Sequence, residues 1–514
     1  MARAEAPAGR VRPALARPSF GVGDVVAGVS VALVLIPQAL AYAQLAGMPP
    51  HTGLYAAALA PIAAAFFASS PYLQTGPVAL TALLTFGGLA ALATPETDEY
   101  VALAALLALV VGAVRVAVGL LRAGVIAYLM SQAVLIGFMP AAAILIVASQ
   151  LPTALGAGDQ EGGVLRGAWN ALTNPGSWGS SAILLAALSI VLVLAGRRLH
   201  AFFPGVLVAV LVGIGWSELG GYDGATVGDV PSGLPPLSVD LPWSDLLSLL
   251  VPGIVIALVG FAEPASIART FAAAERRPWD PNREFVSQGA ANVASAFSGG
   301  FPVGGSFSRS SLARLTGART RWTGAITGLV VLAFLPFAGV LSPLPTAVLA
   351  AIVIGAVAGL IRIGPMLEVV RYSRPQTAIM LTTFVLTLAL SPHVEQALLA
   401  GIGLAVGIHL WRELRLDVET AAEGTRLHVR PKGVLWFASA RALEDKFVSA
   451  LAEHPGAEAL VIHLDGLGRI DLTGALALKA LLDDARAAGL DLEVEGPPPH
   501  ALPLLRRVFP EHVT

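Results

Sequence analysis

The sequence predicts an all-α polytopic membrane protein of fourteen transmembrane segments, followed by a small α/β domain. Three observations predict it. The 514-residue chain is 55% hydrophobic and only 13% charged, against about 25% charged in a soluble domain. Apolar segments near ~20 residues, the length that spans a bilayer, recur up to residue 415. Charges sort between alternate loops, and the lysines, Lys432, Lys446 and Lys479, all fall beyond the last apolar segment.

Residues 1–20, rich in Ala, Pro and Arg, read as a disordered tail. The first apolar run continues through Pro37-Gln38 without a cleavage site, so it reads as a span and not a signal peptide. Segments centre near residues 32, 60, 84, 108, 136, 190 and 209, then 256, 291, 311, 330, 351, 382 and 402. This gives a transport domain over 21–415, with one repeat at about 21–220 and another at about 240–415. Even-numbered loops hold Arg115 and Arg122, Arg197 and Arg198, Arg269 to Arg283, Arg314 to Arg321, and Arg362 to Arg374. Odd-numbered loops hold acids such as Glu96, Asp98, Asp159, Glu218 and Asp240, with Arg166 the exception. By the positive-inside rule both termini face the cytoplasm.

Residues 417–514 read as one soluble domain. Leu427–Val429 and Val434–Phe437 suggest a strand pair, and Ala459–Leu464 a strand buried on both faces. Helices are expected over Ala442–Ala452, Thr473–Ala488 and His500–Val508, with a strand at Leu490–Val494.

The stretch from Phe301 to Leu315, FPVGGSFSRSSLARL, is too polar to face lipid. It reads as an extended run, a hinge at Gly304-Gly305, and a helix capped by Ser306. Tyr72 to Leu80 echoes it, with Gly76-Pro77 before a helix. Upstream of each lies an apolar helix with a polar residue beside a proline, Pro37-Gln38 and Glu263-Pro264. Two such broken-helix units at similar spacing indicate an internal duplication, a common build of secondary transporters. Unpaired amides at a helix start welcome an anion.

Glu263 is a carboxyl at membrane depth, where such groups usually mark an ion or proton path. Apolar surroundings favour its neutral form, so it could load and release a proton; the plainer reading is a structural hydrogen bond. Gln38 could hold an oxyanion through its amide or simply cap the kink at Pro37. Tyr42, one turn on, could wall the site or pack as an ordinary Tyr. Arg309, as a cation, opposes the local helix dipole, which suggests a partner, an anion or Glu263; the plainer reading is a side chain that reaches past the helix into water. Ser308 and Thr75 offer hydroxyls, which often bond only to backbone. Asn292 and Gln288 read as helix–helix glue.

No enzyme motif, nucleotide loop, metal set or nucleic-acid patch emerges, and the chain has no cysteine. No cofactor is expected. Asp471-Leu472-Thr473-Gly474 marks a helix start, with Thr473 a possible phosphorylation site.

With these residues in place the resemblance is specific. Ile36 to Ala43, followed by Pro49-Pro50 and Gly53-Leu54-Tyr55, resembles the signature of the sulfate permease (SulP) anion transporters. Gly305 to Ser310 resembles their second motif, and the tail resembles the STAS domain. The resemblance implies two inverted seven-helix repeats forming core and gate domains, a homodimer, and elevator-like movement. It implies a substrate site at Gln38, Tyr42, Val78, Ala79, Phe307, Ser308 and Arg309, with Glu263 in ion coupling. Val78 is smaller than the aromatic of prestin-like relatives, which would leave room for a larger anion. Leu472 departs from the Asp-Ser-Ser-Gly of bacterial antagonists, which weakens a phospho-switch at Thr473.

The expected function is a secondary transporter in a bacterial-type cytoplasmic membrane, moving sulfate, bicarbonate or a dicarboxylate with H⁺ in preference to Na⁺. A passive anion channel, a nucleobase–proton symporter of the same fold and a membrane-bound signalling scaffold are the alternatives.

Overall fold

The structure is a computed structural model that describes residues 19–128, 131–158, 162–199, 203–414 and 416–510. Most of the expected N-terminal tail therefore lies outside the described residues. The chain divides into two compact units, Met1–Ile402 and Gly403–Thr514.

The first half of the helical unit runs α1 (Val22–Leu45), α2 (Pro50–Phe67), β1 (Gln74–Gly76), α3 (Ala79–Leu89), α4 (Asp98–Leu120), α5 (Gln132–Leu155), α6 (Val164–Thr173), α7 (Ser180–Leu199) and α8 (Gly205–Gly220). The second half repeats that order. It runs α9 (Leu246–Glu275), α10 (Pro281–Phe297), β2 (Gly304–Ser306), α11 (Phe307–Leu315), α12 (Trp322–Phe334), α13 (Thr346–Val357), α14 (Ile363–Tyr372), α15 (Arg374–Ala389) and α16 (Val394–Glu413). Each of the fourteen apolar centres falls inside one of these helices. Seven helices are long and apolar enough to cross a membrane, among the described residues.

Two features correct the sequence reading. The unit is not purely helical, because β1 and β2 pair antiparallel, Gln74 opposite Ser306 and Gly76 opposite Gly304. Gly304-Gly305 is thus strand and not a hinge. Space there is tight: a Cβ on Gly305 would meet Leu73 Cδ1 at 2.7 Å and Pro264 Cγ at 3.2 Å. In addition, α6 and α14 occupy matching places in the two halves, each 10 residues long. Their polar faces had let them pass as loops.

Packing sorts the helices into two groups. α1 to α4 pack with α9 to α12, and α5 to α8 pack mainly with α13 to α15. The tightest contact, α4 on α10, uses small residues: a Cβ on Gly112 would lie 3.0 Å from the Gly289 carbonyl. Backbones approach this closely only where no side chain intervenes, the usual device between membrane helices.

The second unit holds a mixed sheet in the order β3 (Asp417–Glu423), β4 (Arg426–Leu435), β5 (Ala459–His463) and β7 (Asp491–Glu495). β6 (Leu467–Ile470) extends it beside β4. Helices α17 (Ala440–Glu453), α18 (Leu472–Ala487) and α19 (Leu502–Val508) bring Phe447, Leu478, Leu482 and Leu505 to a core with Leu427, Leu460 and Ile462. The expected hairpin within 427–437 is instead the single strand β4, paired with β3. Pro431 sits where β4 passes from β5 to β6, so its missing N–H breaks no bond on that side.

Candidate substrate site

The β1–β2 pair brings two helix starts together. α3 begins after Val78, whose backbone is extended, and α11 begins after Ser306, whose hydroxyl accepts from the Arg309 N–H at 3.5 Å. Ser310 locks the junction: its Oγ accepts from the Gln74 N–H at 2.9 Å and donates to the Ser306 carbonyl at 2.7 Å. α10 fixes the same strands from behind. Gln288 Nε2 donates to Thr75 Oγ1 at 2.7 Å, and Asn292 joins both backbone groups of Val303, accepting at 2.9 Å and donating at 3.1 Å. Gln288 and Asn292 are therefore glue between a helix and the strands rather than between two helices.

Arg309 is the centre of this arrangement. It is 1% exposed, yet it springs from the first turn of α11. Nη2 donates to the Pro77 carbonyl at 2.9 Å and Nη1 to Gln38 Oε1 at 3.3 Å. Its buried Nε has no partner among the described residues. Tyr42 and Glu263 both lie within electrostatic range of it. The Glu263 carboxylate, half-buried, faces the Phe307 backbone N–H and feels the Arg309 charge. Gln38, Tyr42, Arg309 and Glu263 thus come together, with the Val78–Ala79 start beside them.

Thr75 is different: its hydroxyl is engaged by Gln288, and it is buried as a packing residue. Ser308 Oγ lies 3.2 Å from Ser306 Oγ. Phe307 is 52% exposed and stacks on Phe271, with ring centroids 6.3 Å apart. That exposure is into two cavities. One, of about 390 Å³, takes Ser308 and Arg309 in its wall; the other, of about 570 Å³, takes Glu263, Ser266 and Thr270. Phe307 lines both. In the second unit, Asp471 Oδ1 caps α18 by accepting from the Gly474 N–H at 2.7 Å, and Thr473 stays exposed.

One residue of the site was misplaced by sequence reasoning. Arg115 is not in a loop but inside α4, fully buried. It donates to the carbonyls of Ala257 at 3.0 Å, Ile256 at 3.2 Å and Val303 at 2.9 Å, so it ties α9 to the residue ahead of β2. The signal was present: apolar residues flank Arg115 for a full turn on each side.

Comparison with known proteins bears on the family and the fold. The model of the sulfate permease family matches residues 22–383, and that of a STAS domain matches 418–509. A probable sulfate transporter of Mycobacterium tuberculosis is 32% identical over 502 residues, covering 91% of this chain and 88% of that protein. The murine Solute Carrier 26 family member A9 anion transporter, in its inward-facing state, superposes with a TM-score of 0.86 at 19% identity, covering 95% of this chain and 87% of that one. The transmembrane domain of a cyanobacterial bicarbonate transporter, BicA, gives a TM-score of 0.65 at 27% identity, over 75% of this chain and 99% of that one.

Proposed function

The chain belongs to the sulfate permease family of membrane anion transporters, and from that premise we propose that it is a secondary active transporter that moves a small anion together with a proton. The substrate is sulfate, bicarbonate or a dicarboxylate. The fourteen apolar helices span the membrane as two inverted repeats. α1 to α4 with α9 to α12 form a core that carries the site, and it slides past a gate of α5 to α8 with α13 to α16. The protein is a homodimer in a bacterial cytoplasmic membrane, with both termini inside. The exposed hydroxyl of Thr473 is a candidate regulatory phosphorylation site.

One observation carries this reading: a buried guanidinium with an unpartnered Nε, held between two helix starts. Amides at both starts and the Arg309 charge attract an oxyanion. Gln38, Tyr42, Val78, Ala79, Phe307 and Ser308 shape and line its seat, while Thr75 holds the strand behind it. Coupling follows from charge. With Glu263 ionised, Arg309 already has a counter-charge nearby. Protonation of Glu263 removes it, and the anion then gains more from Arg309. Proton and anion therefore favour each other's binding, and linkage makes the effect reciprocal.

The experiment is uptake of labelled anions by the purified protein in liposomes, with and without pH and Na⁺ gradients. Accumulation driven by an inward proton gradient is expected. Large fluxes without accumulation would replace this reading by a channel.

A further inference from the structure

A third cavity, of about 430 Å³, plays no part in the transport scheme. Arg277 enters its wall from the turn between α9 and α10, Arg283 from the first turn of α10, Arg319 and Arg321 from the turn ahead of α12, and Tyr72 from the segment after α2. The wall holds one carboxylate among the described residues, Glu275. That group is already engaged by the Tyr72 hydroxyl, by Arg277 at 3.7 Å and by Arg314 at 3.8 Å.

The arginines are placed, not merely present. Arg283 Nε donates to the Phe67 carbonyl at 2.9 Å and Arg321 Nη1 to the Ala68 carbonyl at 3.2 Å, so both are anchored on the end of α2. Four backbone amides beside the cavity are already taken. Glu284 accepts from Ser69 and Ser70 at 3.2 and 2.8 Å, and Asp24 accepts from Arg319 and Thr320 at 2.8 Å each. A ligand meets the guanidinium groups beside an aromatic wall of Tyr72, Phe271 and Trp279, and the Thr320 hydroxyl in the same wall also lacks a partner among the described residues. The positive-inside bias accounts for basic loops. It does not require loops distant in sequence to enclose one cavity, nor two of their arginines to be pinned on carbonyls.

We propose that this cavity binds a phosphomonoester dianion, its phosphate held by the four arginines and its organic part lying on the aromatic wall. A terminal phosphate offers three strong acceptor oxygens, which suit planar guanidinium forks. The volume exceeds what a lone oxyanion fills, which leaves room for the organic part. The same chemistry reaches the cavity from a soluble phosphate ester or from the headgroup of an anionic lipid.

The test follows thermal unfolding of the full-length protein in two arms. In detergent, the titrants are glycerol 3-phosphate and, separately, sulfate. In nanodiscs, phosphatidylcholine is compared with phosphatidylcholine containing phosphatidic acid. The variant is Arg277→Gln with Arg319→Gln, since neither side chain bonds a backbone carbonyl among the described residues. Arg309→Gln serves as control for the transport site. Glycerol 3-phosphate or phosphatidic acid is expected to raise the unfolding temperature of the wild type and of Arg309→Gln. The double variant should need roughly a hundredfold more ligand, about tenfold per arginine lost. A response in the detergent arm assigns the soluble source, and one in the nanodisc arm alone assigns the lipid. No response in either arm, or an undiminished response in the double variant, overturns the proposal. Because Arg309→Gln is separate, failure here leaves the transport reading standing, and the reverse holds too.

Discussion

Arg309 Nη2 reaches the Pro77 carbonyl at 2.9 Å, so a side chain from the first turn of α11 closes on the residue that leads into α3. The two halves of the chain are joined at the site by this contact as well as by the β1–β2 pair. Arg309 therefore has two tasks, holding the junction and presenting charge. Arg309→Lys keeps the charge but cannot serve Pro77 and Gln38 together from one planar fork. Both Arg309→Gln and Arg309→Lys should lose at least tenfold in sulfate uptake, since a charged hydrogen bond is worth about 1.5–3 kcal/mol. Uptake by Arg309→Lys at the wild-type rate would show that the fork geometry is irrelevant.

Glu263 faces the Phe307 N–H near Arg309 and shares the lining of one cavity with Phe307. In the wild type, anion affinity should rise as pH falls, because protonation of Glu263 frees the Arg309 field. Glu263→Gln imitates the protonated form. It should bind anion at every pH and lose its response to a proton gradient. Equilibrium binding across a pH series, beside gradient-driven uptake, checks this. A pH response equal to that of the wild type would remove Glu263 from the coupling.

Arg115 makes three hydrogen bonds to carbonyls of α9 and of Val303 from inside α4. Arg115→Ala leaves those carbonyls facing a void and should destabilise the protein by about 3 kcal/mol or more. Arg115→Lys should lose less, because one ammonium can still reach a carbonyl. Thermal unfolding in detergent measures both. Equal loss in the two variants would mean that neither bulk nor a single ammonium donor replaces the three bonds of the guanidinium.

These residues also show what was legible before the coordinates. Prolines and glycines interrupt helices by local sterics, so Gly76-Pro77 and Gly304-Gly305 marked the extended segments directly, whereas Pro37 and Pro264 lie inside the continuous helices α1 and α9 and break neither. The Ser306 and Asp471 caps were legible for the same reason, since capping needs only the next three residues. Partners were not legible. Arg309 binds a backbone carbonyl in the other half of the chain, and a carbonyl leaves no mark in the sequence. Strand pairing of Gly304-Gly305 was hidden likewise, because a three-residue strand is defined by its partner. Arg115 was read with Arg122 as loop charge, although the apolar turns on both sides of it already marked it as interior; its carbonyl partners were what the sequence hid.

Ser310 tests the junction without touching charge. Its hydroxyl bridges the Gln74 N–H and the Ser306 carbonyl, one from each side of the β1–β2 pair. Ser310→Ala leaves a buried N–H without a partner, a loss of about 1–3 kcal/mol. That loss should be local, because the rest of α10 and α11 keeps its own contacts. Hydrogen exchange at residues 74–76 and 304–306 should therefore quicken, while exchange in α4 stays as in the wild type. Sulfate affinity should fall with it, since the helix starts lose their fixed separation. Faster exchange with unchanged affinity would show that the site tolerates a loose junction, and the seat of the anion would then lie away from the paired helix starts.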